Sequence, residues 1–215
     1  FRELNNIAKK NNNSILLGSM SIDDNDDNYY NSATVLGNGS GSYRKHHLVP
    51  FGEYFPVISS LSYSKEVGLS NFSAGEYTQP LMNMSNNRVA NFICYEIGYP
   101  EQVRDQLQGA GFITVISDDA WFGDSIARYQ HLQIAQVRAI ENGKYLLHDT
   151  NNGLTAIIDP KGHVYASLPK DTQAILESYI YSTESHTLWS YIGMYLVWFI
   201  SILTMIIALI VRFRK

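Results

Sequence analysis

The chain has 215 residues, and its 16 Lys+Arg against 20 Asp+Glu leave a net charge of −4, so nothing in it recruits nucleic acid through bulk electrostatics. A single cysteine excludes an internal disulfide, and the six histidines show no zinc-ligand spacing, so neither a metal nor another cofactor is assigned. The length suffices for one core of α/β type, and no proline-rich or low-complexity linker divides it.

In chain order, a charged, helix-like start containing Glu3 leads into short β-prone runs bounded by Gly, Asn, Asp and Pro. "SILLGSM" and "SATVLG" read as strands joined through "DDNDDNYYN", a solvated hairpin loop that includes Asp23, Asp24, Asp26 and Asp27. That loop fails as a calcium site, because counting from Asp23 puts Asn28 where glycine is needed and Thr34 where glutamate is needed. "GNGSGS" lacks the Gly-Lys-Ser/Thr ending of a phosphate loop and reads as a flexible turn. "YRKHHLVPFGEYFP" ends a strand-like stretch at Lys45, with His46 and His47 pointing opposite ways if extended, and Glu53 after Pro50 and Gly52.

"RVANFICYE" predicts the next strand, and "PEQVRDQLQG" a helix with Pro100 at its start and Gly109 at its stop. "GFITVISD" predicts a further strand. "IARYQHLQIAQVRAIENG" predicts a helix that lines Ile126, Leu132, Ala135, Ala139 and Ile140 along one face and ends at Gly143. "KYLLHDT", "LTAIID" and "AILESYI" complete the strands. Near-continuous apolar strands mixed with helices predict a sheet covered on at least one face.

Residues 187–211, "TLWSYIGMYLVWFISILTMIIALIV", contain no charge, and Arg212, Phe213, Arg214 and Lys215 follow. Such a stretch predicts a transmembrane helix, with residues 212–215 as a basic cytoplasmic tail. The domain of residues 1–186 then lies across the membrane with 13 cations against 20 anions, a net charge of −7. The chain opens at Phe1 without an initiator methionine or signal-peptide pattern, although this orientation demands export. It is therefore expected to be the C-terminal part of a longer protein.

"NFICYEIGYP" holds the lone Cys94 at the end of an apolar run. Most free cysteines are small buried hydrophobes. In a compartment that favours disulfides, an unpaired cysteine is better explained by use as a nucleophile, which needs a neighbouring cation or base to form the thiolate.

Together, "LVPFGE" with its following aromatic residue, "ICYEIGYPE", "SDDAWFGDS", "QHLQIAQVRAIENGKYLL" and "TNNGLTAIIDPKG" resemble the apolipoprotein N-acyltransferases, the membrane-bound branch of the nitrilase superfamily. The resemblance runs from about Ser14 to the C-terminus. It implies a nitrilase-like α-β-β-α sandwich facing the periplasm from the bacterial inner membrane. Cys94 matches the nucleophile, Lys45 the catalytic lysine that stabilises thiolate and oxyanion, and the N–H of Tyr95 a second oxyanion donor. Glu53, Glu96 and the Tyr95 side chain match further residues that the family needs. The implied partners are a phospholipid acyl donor and a diacylated apolipoprotein acceptor, joined through a cysteine thioester.

Trp121, Phe122 and Phe55 are candidates to shelter an acyl chain, against their commoner role as core. Asp118 stands where the family commonly has asparagine, and His148 and Asp149 replace an arginine and a serine; no function is carried to these three positions. No acid before Lys45 fits the glutamate base of the family's triad, which is therefore expected upstream of Phe1. Two other readings remain: a membrane-anchored nitrilase-type amidase, in which water takes the acyl group, and a non-catalytic binding ectodomain.

Overall fold

The computed structural model describes residues 1–23, 28–54 and 72–213. Asp24, Asp26, Asp27, Phe55, Arg214 and Lys215, all singled out above, lie outside the described residues.

Strands β1 (Ser14–Ile22) and β2 (Tyr29–Gly37) pair antiparallel from Ser14 opposite Gly37 to Ile22 opposite Tyr29, forming the expected hairpin. The chain then makes an unexpected step. β3 (Gly39–Ser40) leaves this sheet to pair with β5 (Met82–Met84), and β4 (Ser42–Arg44) returns to pair with β2. A Cβ on Gly39 would collide with the Asn83 carbonyl oxygen. "GNGSGS" is thus a crossing between two sheets, and its glycine provides close backbone approach.

The larger sheet continues with β6 (Asn87–Ile93), β7 (Phe112–Asp118), β8 (Leu146–Asn151), β9 (Ala156–Ile158) and β10 (Val164–Ser167), in spatial order β10-β9-β8-β7-β6-β5-β3. β6, β7 and β8 run parallel, joined by crossover helices α2 (Pro100–Gln106) and α3 (Ala127–Asn142). Parallel strands covered on both faces need side chains for both. Phe92, Ile113 and Val115 meet Val103, Ala135 and Ala139 of the helices, while Ile93 points the other way and joins Ala33, Val35, Tyr43 and Met82 between the sheets. With α1 (Arg2–Lys10) packed against β1 and β2, the layers are those of the α-β-β-α sandwich.

Three elements depart from the sequence expectation. "AILESYI" forms no strand: residues 168–186 run without regular structure, tied down by backbone contacts such as Thr183 N–H to the Gly111 carbonyl. α3 buries Ala135 and Ala139 but also Arg128, His131, Arg138 and Asn142, whereas Ile126 and Ile140 are exposed. Its inward polar groups have their own partners: Arg128 pairs with Asp124 and Asp171, Arg138 with Glu141, and Asn142 donates to the Arg138 carbonyl.

The apolar C-terminal stretch is divided. A short α4 (Leu188–Ile192) is capped by Thr187, and α5 (Tyr195–Phe213) follows after Gly193, whose φ of 51° breaks the helix. A side chain at Gly193 would collide with the Arg104 guanidinium, and the Met194 N–H beyond it donates to Glu101 Oε1 at 2.8 Å. α5 has a mean hydropathy of 2.5 over its most apolar window, with none of that window buried in the protein. Its 19 residues extend about 28 Å, close to the thickness of a bilayer's hydrocarbon core.

Candidate active site

In open α/β sheets, ligands bind beyond the carboxyl ends of the parallel strands. Here β6 delivers Cys94 to that end and β7 delivers Asp119, while α3 and β8 add His131 and His148.

Cys94 follows β6 at once and has φ 57°, a left-handed conformation that costs a non-glycine residue about 1–3 kcal/mol. The chain then tightens into a 3₁₀ turn, Cys94–Gly98, before α2 begins at Pro100. Glu96 holds this elbow. Its Oε2 accepts from the Ile93 N–H at 2.9 Å, and its Oε1 accepts from the His46 N–H at 2.7 Å, the His47 N–H at 3.1 Å and the Tyr43 hydroxyl at 3.0 Å. Burial pushes its carboxyl above the usual range, and these four donors pull it back. Burial and the adjacent Glu96 likewise raise the Tyr43 hydroxyl far above its ordinary value. One carboxylate thus joins the cysteine turn to the segment that carries Lys45.

Lys45, directly after β4, is 1% exposed, and its Nζ donates to both oxygens of Glu53 at 2.9 and 2.7 Å. Glu53 also accepts from Asn31 Nδ2 at 2.7 Å and the Val49 N–H at 2.8 Å. The turn at Pro50 and Gly52 exists to bring this carboxylate back onto the lysine. A surface pair would contribute little; a buried ammonium is held only because its partner is in place.

A second group was not anticipated from the sequence. Asp119, fully buried, accepts from Ser117 Oγ at 2.6 Å and contacts His131 Nδ1 at 3.1 Å, and His131 Nε2 lies 3.2 Å from the Cys94 carbonyl oxygen. Burial works to raise the Asp119 carboxyl, but the hydrogen bonds from His131 and Ser117 outweigh it and hold the group below its usual range. His148 packs edge-on to His131 at 4.8 Å, with its Nδ1 on the Leu154 carbonyl; burial, then the neighbouring His131, pushes its pKa down to about 4. Gly153 completes the enclosure, since a Cβ there would collide with Asp119 Oδ2. In α3, His131 sits one turn before Ala135 and two before Ala139, on the buried face, but its partners Asp119 and the Cys94 carbonyl come from other segments that this spacing does not reveal. Asp118, by contrast, is exposed and merely caps the following turn by accepting from the Ala120 N–H. Asp149 is exposed as well.

Aromatic rings flank the elbow. His47 stacks on Tyr99 at 3.6 Å, and the Tyr95 and Tyr99 hydroxyls lie 2.8 Å apart, a contact that pushes Tyr99 up to about 12. His46 and His47 do not point apart, because the segment bends and their rings meet at 4.7 Å. Trp121 is 82% exposed and so is not core, whereas Phe122 lies edge-on to His131.

A thiol on a strained elbow, a buried ammonium held by Glu53 in the segment that Glu96 ties to that elbow, and a buried carboxylate–imidazole pair behind the elbow carbonyl suit nucleophilic acyl chemistry. Known proteins bear on which. Residues 1–183 match the model of the carbon-nitrogen hydrolase family. A curated relative named apolipoprotein N-acyltransferase from Shewanella oneidensis is 38% identical over 88% of this chain and 40% of its own length. One of the same name from Azotobacter vinelandii is 45% identical over 69% of this chain and 29% of its own, and one from Photobacterium profundum is 33% identical over the whole of this chain and 44% of its own. The chain therefore spans less than half the length of these relatives. A carbon-nitrogen hydrolase from Helicobacter pylori shares the fold with a TM-score of 0.62 at 20% identity, covering 80% of this chain and 63% of that one. The elbow cysteine, its lysine–glutamate pair and these likenesses agree: the chain belongs to the carbon-nitrogen hydrolase family.

Proposed function

We propose that the protein carrying this chain is an N-acyltransferase of the apolipoprotein N-acyltransferase kind. Cys94 Sγ attacks the ester carbonyl of a phospholipid, the thiol proton leaves to a base, and the lysophospholipid alkoxide departs with a proton. The resulting thioester is attacked by the α-amino group of a diacylglyceryl-cysteine, which releases the N-acylated product and regenerates the thiol. Lys45, held in place by Glu53, stabilises the thiolate and the tetrahedral oxyanion, and the Tyr95 N–H is the second oxyanion donor. Glu53 and Glu96 each have both oxygens engaged by donors, so a group other than these two takes the thiol proton. Tyr95, half exposed beside Tyr99, borders the acyl-transfer path.

The observation that carries this reading is the coexistence of a left-handed Cys94, a buried Lys45–Glu53 pair and an apolar α5 in one chain. Both substrates are lipids, and anchoring an enzyme beside them raises their effective concentration. The basic residues that follow α5 support an orientation with the catalytic domain in the periplasm. The test uses the full-length protein in membranes with an acyl-labelled phospholipid. Label should attach to Cys94 as a hydroxylamine-sensitive thioester and vanish in Cys94→Ala; label retained in that variant refutes the assignment. Rapid loss of label to free fatty acid without an acceptor peptide would instead favour an amidase-like hydrolysis.

A further inference from the structure

We propose that Asp119 and His131 act as a buried clamp on the Cys94 carbonyl, positioning the Cys94–Tyr95 peptide so that its N–H is aimed at the oxyanion. This rests on the oxyanion role given above to Tyr95. The peptide unit is planar and trans, so its C=O and N–H point in opposite directions and one cannot turn without the other. Holding the carbonyl oxygen on one side therefore fixes the N–H on the other.

His131 Nε2 provides the hold at 3.2 Å, and its other nitrogen is fixed at 3.1 Å from Asp119, itself oriented by Ser117 at 2.6 Å. A peptide carbonyl and an ionised carboxylate only accept, so both contacts are hydrogen bonds only when the ring carries a proton on each nitrogen. His131 is 4% exposed and Asp119 is fully buried, with Gly153 and His148 packed alongside, so the His131–Asp119 contact is shielded from water. The left-handed Cys94 makes such a hold necessary, because an unconstrained residue would relax toward a commoner conformation. A hydrogen bond accepted by the carbonyl also polarises the peptide and strengthens its N–H as a donor.

The test compares two isosteric replacements in the full-length protein, using p-nitrophenyl ester turnover, which needs Cys94 and the oxyanion donors but no particular lipid. An asparagine amide reaches where Nδ1 stood and a glutamine amide where Nε2 stood. His131→Asn should keep the Asp119 contact, lose the carbonyl contact and lower kcat about 10–100-fold with KM changed less than about threefold. His131→Gln should keep the carbonyl contact and stay within about fivefold of the unsubstituted kcat. Asp119→Asn, which preserves size, should lower kcat about 3–10-fold and provides a readout if His131→Asn does not fold. Gln no better than Asn, or Asp119→Asn with unchanged kcat, would overturn the clamp. Ester turnover with this pattern but no phospholipid label on Cys94 would leave the clamp standing and sink the lipid substrate.

Discussion

Replacing Glu53 by leucine tests whether the Lys45 charge is held by its partner. The substitution removes both acceptors of Lys45 Nζ, at 2.7 and 2.9 Å, and the acceptor for Asn31 and Val49. Asn31 and Val49 are only partly buried, so water can replace their lost contacts and little is added for them. Lys45, 1% exposed, has no such recourse. Breaking one side of a buried ion pair costs about 3–5 kcal/mol. At about 2–4 °C per kcal/mol for a chain of this size, the melting temperature should fall by about 6–20 °C. Removing the stranded charge as well, in Lys45→Met/Glu53→Leu, should recover at least about 2 kcal/mol over the single variant, or about 4–8 °C. On the role proposed for Lys45, ester turnover should stay more than about 100-fold down in both, because the cation that faces the oxyanion is misplaced in one and absent in the other. Thermal melting in detergent, read beside turnover, separates the two effects. A Glu53→Leu protein that melts within about 2 °C of the parent would refute the reasoning, as would a double variant no more stable than the single one.

Other substitutions probe the remaining parts. The His148 pKa of about 4, against an ordinary 6.5, means that the unfolded chain takes up the proton first as pH falls. Stability should therefore decline by at most about 3 kcal/mol between about pH 6.5 and pH 4, and denaturant titration of His148→Asn, which keeps a donor toward Leu154, should show that decline flattened. Gly153→Ala places a methyl against Asp119 Oδ2 and 2.6 Å from Thr150 Oγ1, so stability should drop by about 1–3 kcal/mol and turnover with it; an unperturbed variant would show that Asp119 is not confined as described. Leu203→Arg, near the centre of α5, should cost about 2.5–3.5 kcal/mol of membrane insertion, and alkaline extraction should release more of it than of the parent.

The strands and crossover helices were legible because each obeys a local rule: β6, β7 and β8 are apolar runs of strand length, α2 starts on proline, and α3 stops on a left-handed Gly143. The family resemblance picks out Cys94, Lys45, Glu53 and Glu96 as candidates, and in the structure Glu96 ties the cysteine turn to the Lys45 segment across about fifty residues of sequence. What sequence reading missed depends on long-range geometry. Nothing local distinguishes Asp119, which turns inward, from Asp118, which caps a turn in solvent. The inward face of α3 differs from the apolar stripe because apolar periodicity cannot register buried polar side chains such as His131, on Asp119, and Arg128, on Asp124 and Asp171. "AILESYI" has strand composition but finds no sheet edge among the described residues, and Gly193 ends a helix that hydropathy alone would continue.

The break at Gly193 bears on how a lipid substrate would meet the thiol. A continuous helix from Thr187 would carry the catalytic domain on a single hinge and leave its height above the bilayer free. Instead the chain is fastened at three points around the start of the apolar helix: the Met194 N–H on Glu101, the Tyr195 ring under the Arg104 guanidinium at 5.9 Å, and the Thr187 hydroxyl on the Glu141 carbonyl. Glu101 and Arg104 belong to α2, which begins directly after the Cys94–Gly98 turn and its Tyr99 cap, and Glu141 belongs to α3, which also carries His131. α2, which follows the elbow, and α3, which carries His131, are thus also the helices that hold the start of the apolar helix. On the acyl-transfer function proposed above, with α5 spanning the bilayer, these contacts tie the height of Cys94 above the lipid surface to the position of that helix.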